Sequence, residues 1–341
     1  MKKALFFRDR VGGYAFLLTC LFALLHGAAT SSLSGAFFAV ITVVAASVAQ
    51  AVLILHGGLL SIPIPLLLSA GVWYILHGSV QGLPVLAAFF LCGAVLALAI
   101  RFRMERMTCL IVLTAVLLLL ICLTLFLYLY GAADGGDVFA YLRSMLDEFL
   151  TTLTEATRAA YESLQAQYEE MGVEFVMPTE AEIRTSLAQT LSVLPGVGVV
   201  ILFALALIMS YGMQFVSYLR GNRYAFAQNT WPYRIGPAGA GVYMILLLPA
   251  LFWGDFSSPL YLSLLNLYVL MTPILAYGQL LPRLFRGYIR MIPGGVGLVF
   301  PILMLALLLL LAPSYFLTVF AVLYAFRTLK SCIPPPTSAE V

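Results

Sequence analysis

The sequence predicts an all-α fold: a polytopic helical membrane bundle of about ten spans with an extracytoplasmic helical hairpin. Three observations predict it. First, 62% of the 341 residues are apolar, only 10% are charged, and the mean hydropathy is +1.02. A soluble domain carries about 25% charged residues. A soluble enzyme, a disordered chain, a coiled coil and a secreted disulfide scaffold are therefore excluded. Second, the apolar residues gather into runs close to the roughly 20 residues that cross a hydrocarbon core about 30 Å thick. Third, the charges fall between those runs.

Taken in order, the candidate spans are 12–30, 33–56, 59–79, 82–100, 108–131, 195–219, 237–254, 258–282, 293–312 and 313–328. The start, Met1–Thr30, has the basic residues and apolar run of a signal peptide. No clear small-x-small cleavage site followed by a mature soluble chain is present, and further spans come at once, so a retained first span is expected. The third span carries Pro63 and Pro65 near its start, and the last is short and begins at Pro313. These spans divide the chain into a first membrane bundle (1–131), an external hairpin (132–194), a second bundle (195–330) and a cytoplasmic tail (331–341).

Charge sets the expected orientation. Cytoplasmic loops are enriched in Lys and Arg. With ten spans and an internal N-terminus, 15 of the 18 basic residues fall on the cytoplasmic side. The other three, Arg143, Arg158 and Arg184, lie in 132–194 beside 11 of the 15 acidic residues. Losing one span from either half would place a basic cluster outside.

The segment 132–194 reads as two helices. Phe139, Leu142, Leu146, Phe149 and Leu153 begin an apolar stripe that recurs every three or four residues as far as Tyr168. Gly172 ends that helix. A second starts at Thr179-Glu180-Ala181-Glu182, a capping box. The pair reads either as an acidic cap on the spans or as a docking surface or lid.

Chemistry is conspicuous by its absence. No acidic or basic residue falls within the core of a span as drawn, which argues against carboxylate proton relays and intramembrane aspartyl proteases. The sequence has no H-E-x-x-H, G-x-S-x-G or Walker A motif and no C-x-x-C. The expectation is a protein that is not an enzyme, takes no cofactor or metal, and binds no nucleic acid.

The remaining polar residues inside spans are few. His26, Trp73, Tyr74, His77, Tyr261 and Asn266 share roughly the outer third of the expected bilayer. They read as the lining of an outward-opening ligand pocket. The competing reading has each polar group bonding a neighbouring helix, with the aromatic rings forming an interface belt. Gly35, Ala39, Ala45, Ala46 and Ala49 make span 2 rich in small residues, which suits close helix packing. Five spans out and five back is also the geometry of an inverted repeat.

The chain resembles the YybS-like family of bacterial membrane proteins. The resemblance rests on Ile62-Pro63-Ile64-Pro65 followed by Ser69-Ala70-Gly71 and on the hairpin after span 5. It extends to the loop with Arg223, Phe226 and Trp231-Pro232, and to Asn266 and Gly278 on span 8. The sequence departs in span 8, where Tyr277 precedes Gly278 and Gln279 follows it. The family has no assigned activity. Its first half looks like the substrate-binding subunits of energy-coupling-factor vitamin transporters. The resemblance therefore implies a bacterial cytoplasmic membrane protein that binds a small molecule and works with other membrane subunits. A non-catalytic envelope scaffold acting through the hairpin is the alternative.

Overall fold

The computed structural model describes residues 9–29, 35–78, 83–133, 136–172, 174–220, 236–288 and 314–331. The expected span 293–312, nearly all of the tail 331–341, and Arg223, Phe226 and Trp231-Pro232 lie outside the described residues. So do the side chains of His77, Tyr277 and Gln279. Among the described residues the fold is all-helical, with no strand.

The helices are α1 (Arg10–Ala29), α2 (Gly35–His56), α3 (Ile64–His77), α4 (Leu83–Leu86), α5 (Ala88–Arg101) and α6 (Arg106–Ala132). They continue as α7 (Val138–Glu170), α8 (Glu180–Ser192), α9 (Leu194–Leu219), α10 (Pro237–Phe252), α11 (Pro259–Tyr288) and α12 (Ser314–Lys330). Among the described residues five stretches are long and apolar enough to cross a membrane: Arg10–Ala28, Phe38–His56, Arg106–Ala132, Glu180–Ser217 and Pro259–Ala276.

Two helices are shorter than the runs at 59–79 and 82–100 suggest. Helix α3 has 14 residues, about 21 Å at 1.5 Å per residue. Pro63 caps it and Pro65 lies in its first turn, because proline lacks an N–H and suits a helix start. Gly78 ends it with φ +63 and returns its N–H to the Tyr74 carbonyl. Helix α5 also has 14 residues, because a turn at Ala87 separates it from the four-residue α4. Apolar run length does not register these interruptions.

Compactness divides the chain differently from the consecutive segments suggested by its sequence. One unit takes Met1–Leu125, Val199–Met244 and Met271–Val341; the other takes Phe126–Gly198 and Ile245–Leu270. Helices α6, α9, α10 and α11 each contribute to both.

In the first unit α1 packs on α2 and α3, and α2 packs on α5. Phe89, Leu53, Leu96, Leu110, Leu113 and Met209 are fully or almost fully buried in its core. The α2–α5 approach needs Gly93: a Cβ there would meet Gln50 Cβ at 2.7 Å. Gln50 in turn donates from Nε2 to the Ile62 carbonyl at 3.1 Å, tying α2 to the proline-rich break before α3. The outer faces are aliphatic. Leu17, Leu21 and Leu25 of α1 and Ile111 and Leu119 of α6 are all exposed, the reverse of a soluble surface helix.

One cation is not where the sequence suggests. Arg106, expected in a solvated loop, opens α6 and is only 8% exposed. Its Nε and Nη2 donate to Ser210 Oγ at 3.2 and 3.1 Å. Its guanidinium lies 3.9 Å from the centre of the Tyr211 ring. Among the described residues no carboxylate lies within ion-pair distance of it. Arg106 therefore joins α6 to α9 through a hydroxyl and an aromatic face.

The second unit contains the hairpin, and the boundaries follow the sequence signals. Helix α7 runs 33 residues. Asp137 caps it, accepting from the Phe139 and Ala140 N–H groups, and Gly172 follows its end with φ +70. At α8 both halves of the capping box are present: Glu182 Oε2 accepts from the Thr179 N–H at 2.7 Å, and Thr179 Oγ1 accepts from the Glu182 N–H. The Thr179 N–H and hydroxyl, both donated to Glu182 Oε2, lower the pKa of that carboxyl. Thr154 and Ile183 are buried, and Phe175 stacks on Tyr168. The first turns of α7 are not covered: Phe139 is 79% exposed, and Met145, Leu146 and Phe149 are also exposed.

The Arg106 contact generates a stability prediction. A lysine ammonium cannot fork to Ser210 and stack on Tyr211 together. Arg106→Lys is expected to cost about 1–3 kcal/mol, read as a lower unfolding midpoint in detergent. An unchanged midpoint would show that the guanidinium geometry contributes nothing.

Candidate functional site

The six residues expected to line a pocket divide between the units. His26, Trp73, Tyr74 and His77 belong to the first, and Tyr261 and Asn266 to the second.

His26 lies in the last turn of α1 and is 2% exposed. Its Nδ1 sits 3.3 Å from Thr42 Oγ1 of α2, and the edge of Phe89 meets its ring at 6.3 Å between centroids. Trp73 and Tyr74 ride on α3. Trp73 is half-buried, whereas Tyr74 is 61% exposed and encloses nothing. In the second unit Tyr261 is buried, with Trp253 and Phe256 at ring distances of 5.9 and 5.3 Å. The turn before it is set by Asp255, which accepts from the Ser257 hydroxyl and N–H. Those bonds lower its carboxyl pKa.

Asn266 has a structural task. The first N–H groups of a helix and the last carbonyls of one have no partner within it. Asn266 Oδ1 accepts from the Gly196 N–H in the first turn of α9 at 2.6 Å. Its Nδ2 donates to the carbonyl of Ser192, the last residue of α8, at 2.9 Å. One amide on α11 thus caps the end of α8 and the start of α9. Gly196 is required for this fit, since a Cβ would meet the Asn266 carbonyl at 2.8 Å.

Cavities in the first unit gather a different set of residues. A chamber of about 180 Å³ has His26 in its wall, with Ala39, Val43, Ala88, Leu117 and Leu202 around it. Of the six expected residues His26 alone lines it. Two more of its wall residues, Val40 and Leu205, are shared with a larger groove of about 780 Å³ between α1, α2 and α9. All but two of that groove's 18 wall residues lack a polar side-chain group. The exceptions are Tyr14 and Arg220.

The small residues of α2 take on a second role here. Ala46 is buried among helices, but Ala45 and Ala49 line the groove and Ala39 lines the chamber. On α9, Gly212 approaches Val48 so closely that a Cβ would lie 3.0 Å from its methyl group. Spacing alone shows that such residues admit something close. It does not show whether that is a helix or a void.

The Arg220 end of the groove is the polar one. Asp9, just before α1, accepts from the Gly12 N–H at 2.9 Å and meets the His56 ring at 2.8 Å. Burial raises its carboxyl pKa, but the Gly12 and His56 bonds and the Arg220 charge outweigh burial, and the net shift is downward. Arg220 has no side-chain hydrogen bond or ion pair among the described residues.

No family model, no curated protein and no solved structure matches this chain.

The double cap makes its own prediction. Asn266→Leu orphans the Gly196 N–H and the Ser192 carbonyl, at about 1–3 kcal/mol for each group. Asn266→Asp keeps the acceptor, loses the donor, and should fall between. Thermal unfolding of the three proteins checks that order. Equal midpoints for the leucine variant and the wild type would remove the capping role.

Proposed function

We propose that the chain is a multi-pass protein of the bacterial cytoplasmic membrane, with ten spans and both termini inside. In this reading it is a non-catalytic, transport-related subunit that binds a small molecule and relies on other membrane subunits for energy. The carrying observation is the groove of about 780 Å³, within the size range of small-molecule sites. Supporting it are the lack of a Walker A motif and the resemblance to YybS-like proteins and transporter substrate-binding subunits. The 15 basic residues assigned to internal loops support the orientation.

Relative to the sequence expectation, the emphasis moves. Asn266 caps two helix ends, Tyr261 packs on Trp253 and Phe256, and the two cavities described lie among α1, α2, α5, α6 and α9. Of the expected set, His26 lines one of the two cavities described. A thermal-shift screen of vitamins, other small metabolites and single-chain lipids on the purified protein is expected to find a stabilising ligand. His26→Ala is expected to reduce uptake of that ligand in cells. No stabilising ligand and no uptake phenotype together would sink the reading.

A second reading has its own observation. The uncovered stripe Phe139, Met145, Leu146 and Phe149 on α7 suits a scaffold that docks a partner outside the membrane. Deleting 138–190 would then abolish a specific crosslinked partner while the spans stay folded. An unaltered crosslinking pattern would count against it.

A further inference from the structure

We propose that the groove between α1, α2 and α9 binds an anionic amphiphile with one long hydrocarbon chain, its headgroup held by Arg220. This names a ligand class for the binding role above and rests on that reading for its biological sense. Binding itself is tested separately.

The walls select for hydrocarbon. With only Tyr14 and Arg220 carrying polar groups, a hydrophilic solute would lose water and gain no partner in return. A hydrocarbon chain loses nothing and removes apolar surface from water or from a less well-packed bilayer.

The length fits one chain. From Leu205 to Arg220 the α9 wall runs about 22 Å, and from Val40 to Val52 the α2 wall runs about 18 Å. Half of a hydrocarbon core is about 15 Å. A molecule anchored at Arg220 would therefore extend through one leaflet's depth and slightly beyond. The width comes from Ala45, Ala49 and Gly212, where any larger side chain would fill the space.

The mouth selects for an anion. Arg220 is half-buried at the groove end, and among the described residues it makes no side-chain hydrogen bond or ion pair. Asp9 is the carboxylate whose field reaches it. That carboxylate is already held by Gly12 and His56. A partly desolvated guanidinium presents a planar fork that matches a carboxylate or phosphate. The cation and the apolar channel meet at one point, which is the pattern of an amphiphile.

The test uses the full chain in phosphatidylcholine nanodiscs and palmitate carrying a photoactivatable group on its chain. Labelling is expected on α1, α2 and α9 and should be competed by unlabelled palmitate but not by inorganic phosphate. Arg220→Gln is expected to raise the half-saturating palmitate concentration about tenfold. Labelling by the corresponding long-chain alcohol should not change, and Arg220→Lys should restore most of the loss. Ala49→Phe is expected to abolish labelling of both probes. Where that variant lowers the unfolding midpoint, a chain-length series on the wild type decides instead: affinity should rise with length and then level off.

Labelling spread evenly over every apolar helix would overturn the proposal, as would equal effects of Arg220→Gln on acid and alcohol. An affinity that simply tracks partition into the bilayer would do the same. Saturable labelling with no effect of groove variants on uptake would keep the groove and remove the transport role. Uptake that depends on His26 with no labelling would keep the transport role and remove the groove.

Discussion

The constraint on which the rest of this structure depends is the shortage of polar side chains in a chain full of backbone amides. A helix satisfies its own backbone along its length but leaves N–H and carbonyl groups open at each end. In an apolar medium each open group is costly. Polar side chains are therefore found where helices stop. Gln50 meets the carbonyl of Ile62 at the break before α3, and Asn266 meets both open ends at the α8–α9 junction. Many of the Ser and Thr hydroxyls, such as those of Thr19, Ser47 and Thr114, turn back to carbonyls four residues earlier in their own helices. A polar residue in such a chain is first a structural resource, and few are left over for chemistry.

That constraint explains which parts were legible in the sequence. Helix class, the long apolar helices and the hairpin were legible because they are local. Periodicity shows α7, the Thr179–Glu182 box shows the start of α8, and Gly172 shows the end of α7. The lengths of α3 and α5 were less legible. Proline at 63 and 65 and the turn at Ala87 interrupt runs whose apolar composition continues unbroken. The candidate site was least legible. Equal depth in adjacent spans does not place side chains in one wall, and the six residues separate into two units. The partners that occupy them, Thr42 for His26 and Gly196 for Asn266, are 16 and 70 residues away along the chain.

Small residues show the same limit in another form. Gly93 and Ala45 would be scored alike by any small-residue pattern. At Gly93 the missing side chain lets α5 press against Gln50, and the space is filled by protein. At Ala45 and Ala49 the missing volume is left as groove. The difference lies in the facing helix: α5 comes close enough to fill the gap, while α9 approaches α2 closely at Gly212 and leaves a channel beside it. The result is an open groove of about 780 Å³ beside α2, whereas the glycine contact at Gly93 leaves no space at all.

The two arginines at 106 and 220 carry that distinction into electrostatics. Both come from basic clusters that mark the same expected side of the membrane, and both end up against apolar helices. Burying a guanidinium costs several kcal/mol unless its donors and its charge are answered. At Arg106 the protein answers from within: Ser210 takes two donors, and the Tyr211 face lies under the charge. No ligand is needed there, and the cation becomes a pin between α6 and α9. At Arg220 no side chain among the described residues does the same. Asp9 is already engaged with Gly12 and His56, and the adjoining wall is hydrocarbon. The residue type and its place on the expected cytoplasmic side are shared, so neither can separate a structural cation from a binding one. The separation comes from whether the protein completes the coordination: among the described residues it does so at Arg106, whereas no side chain there bonds Arg220.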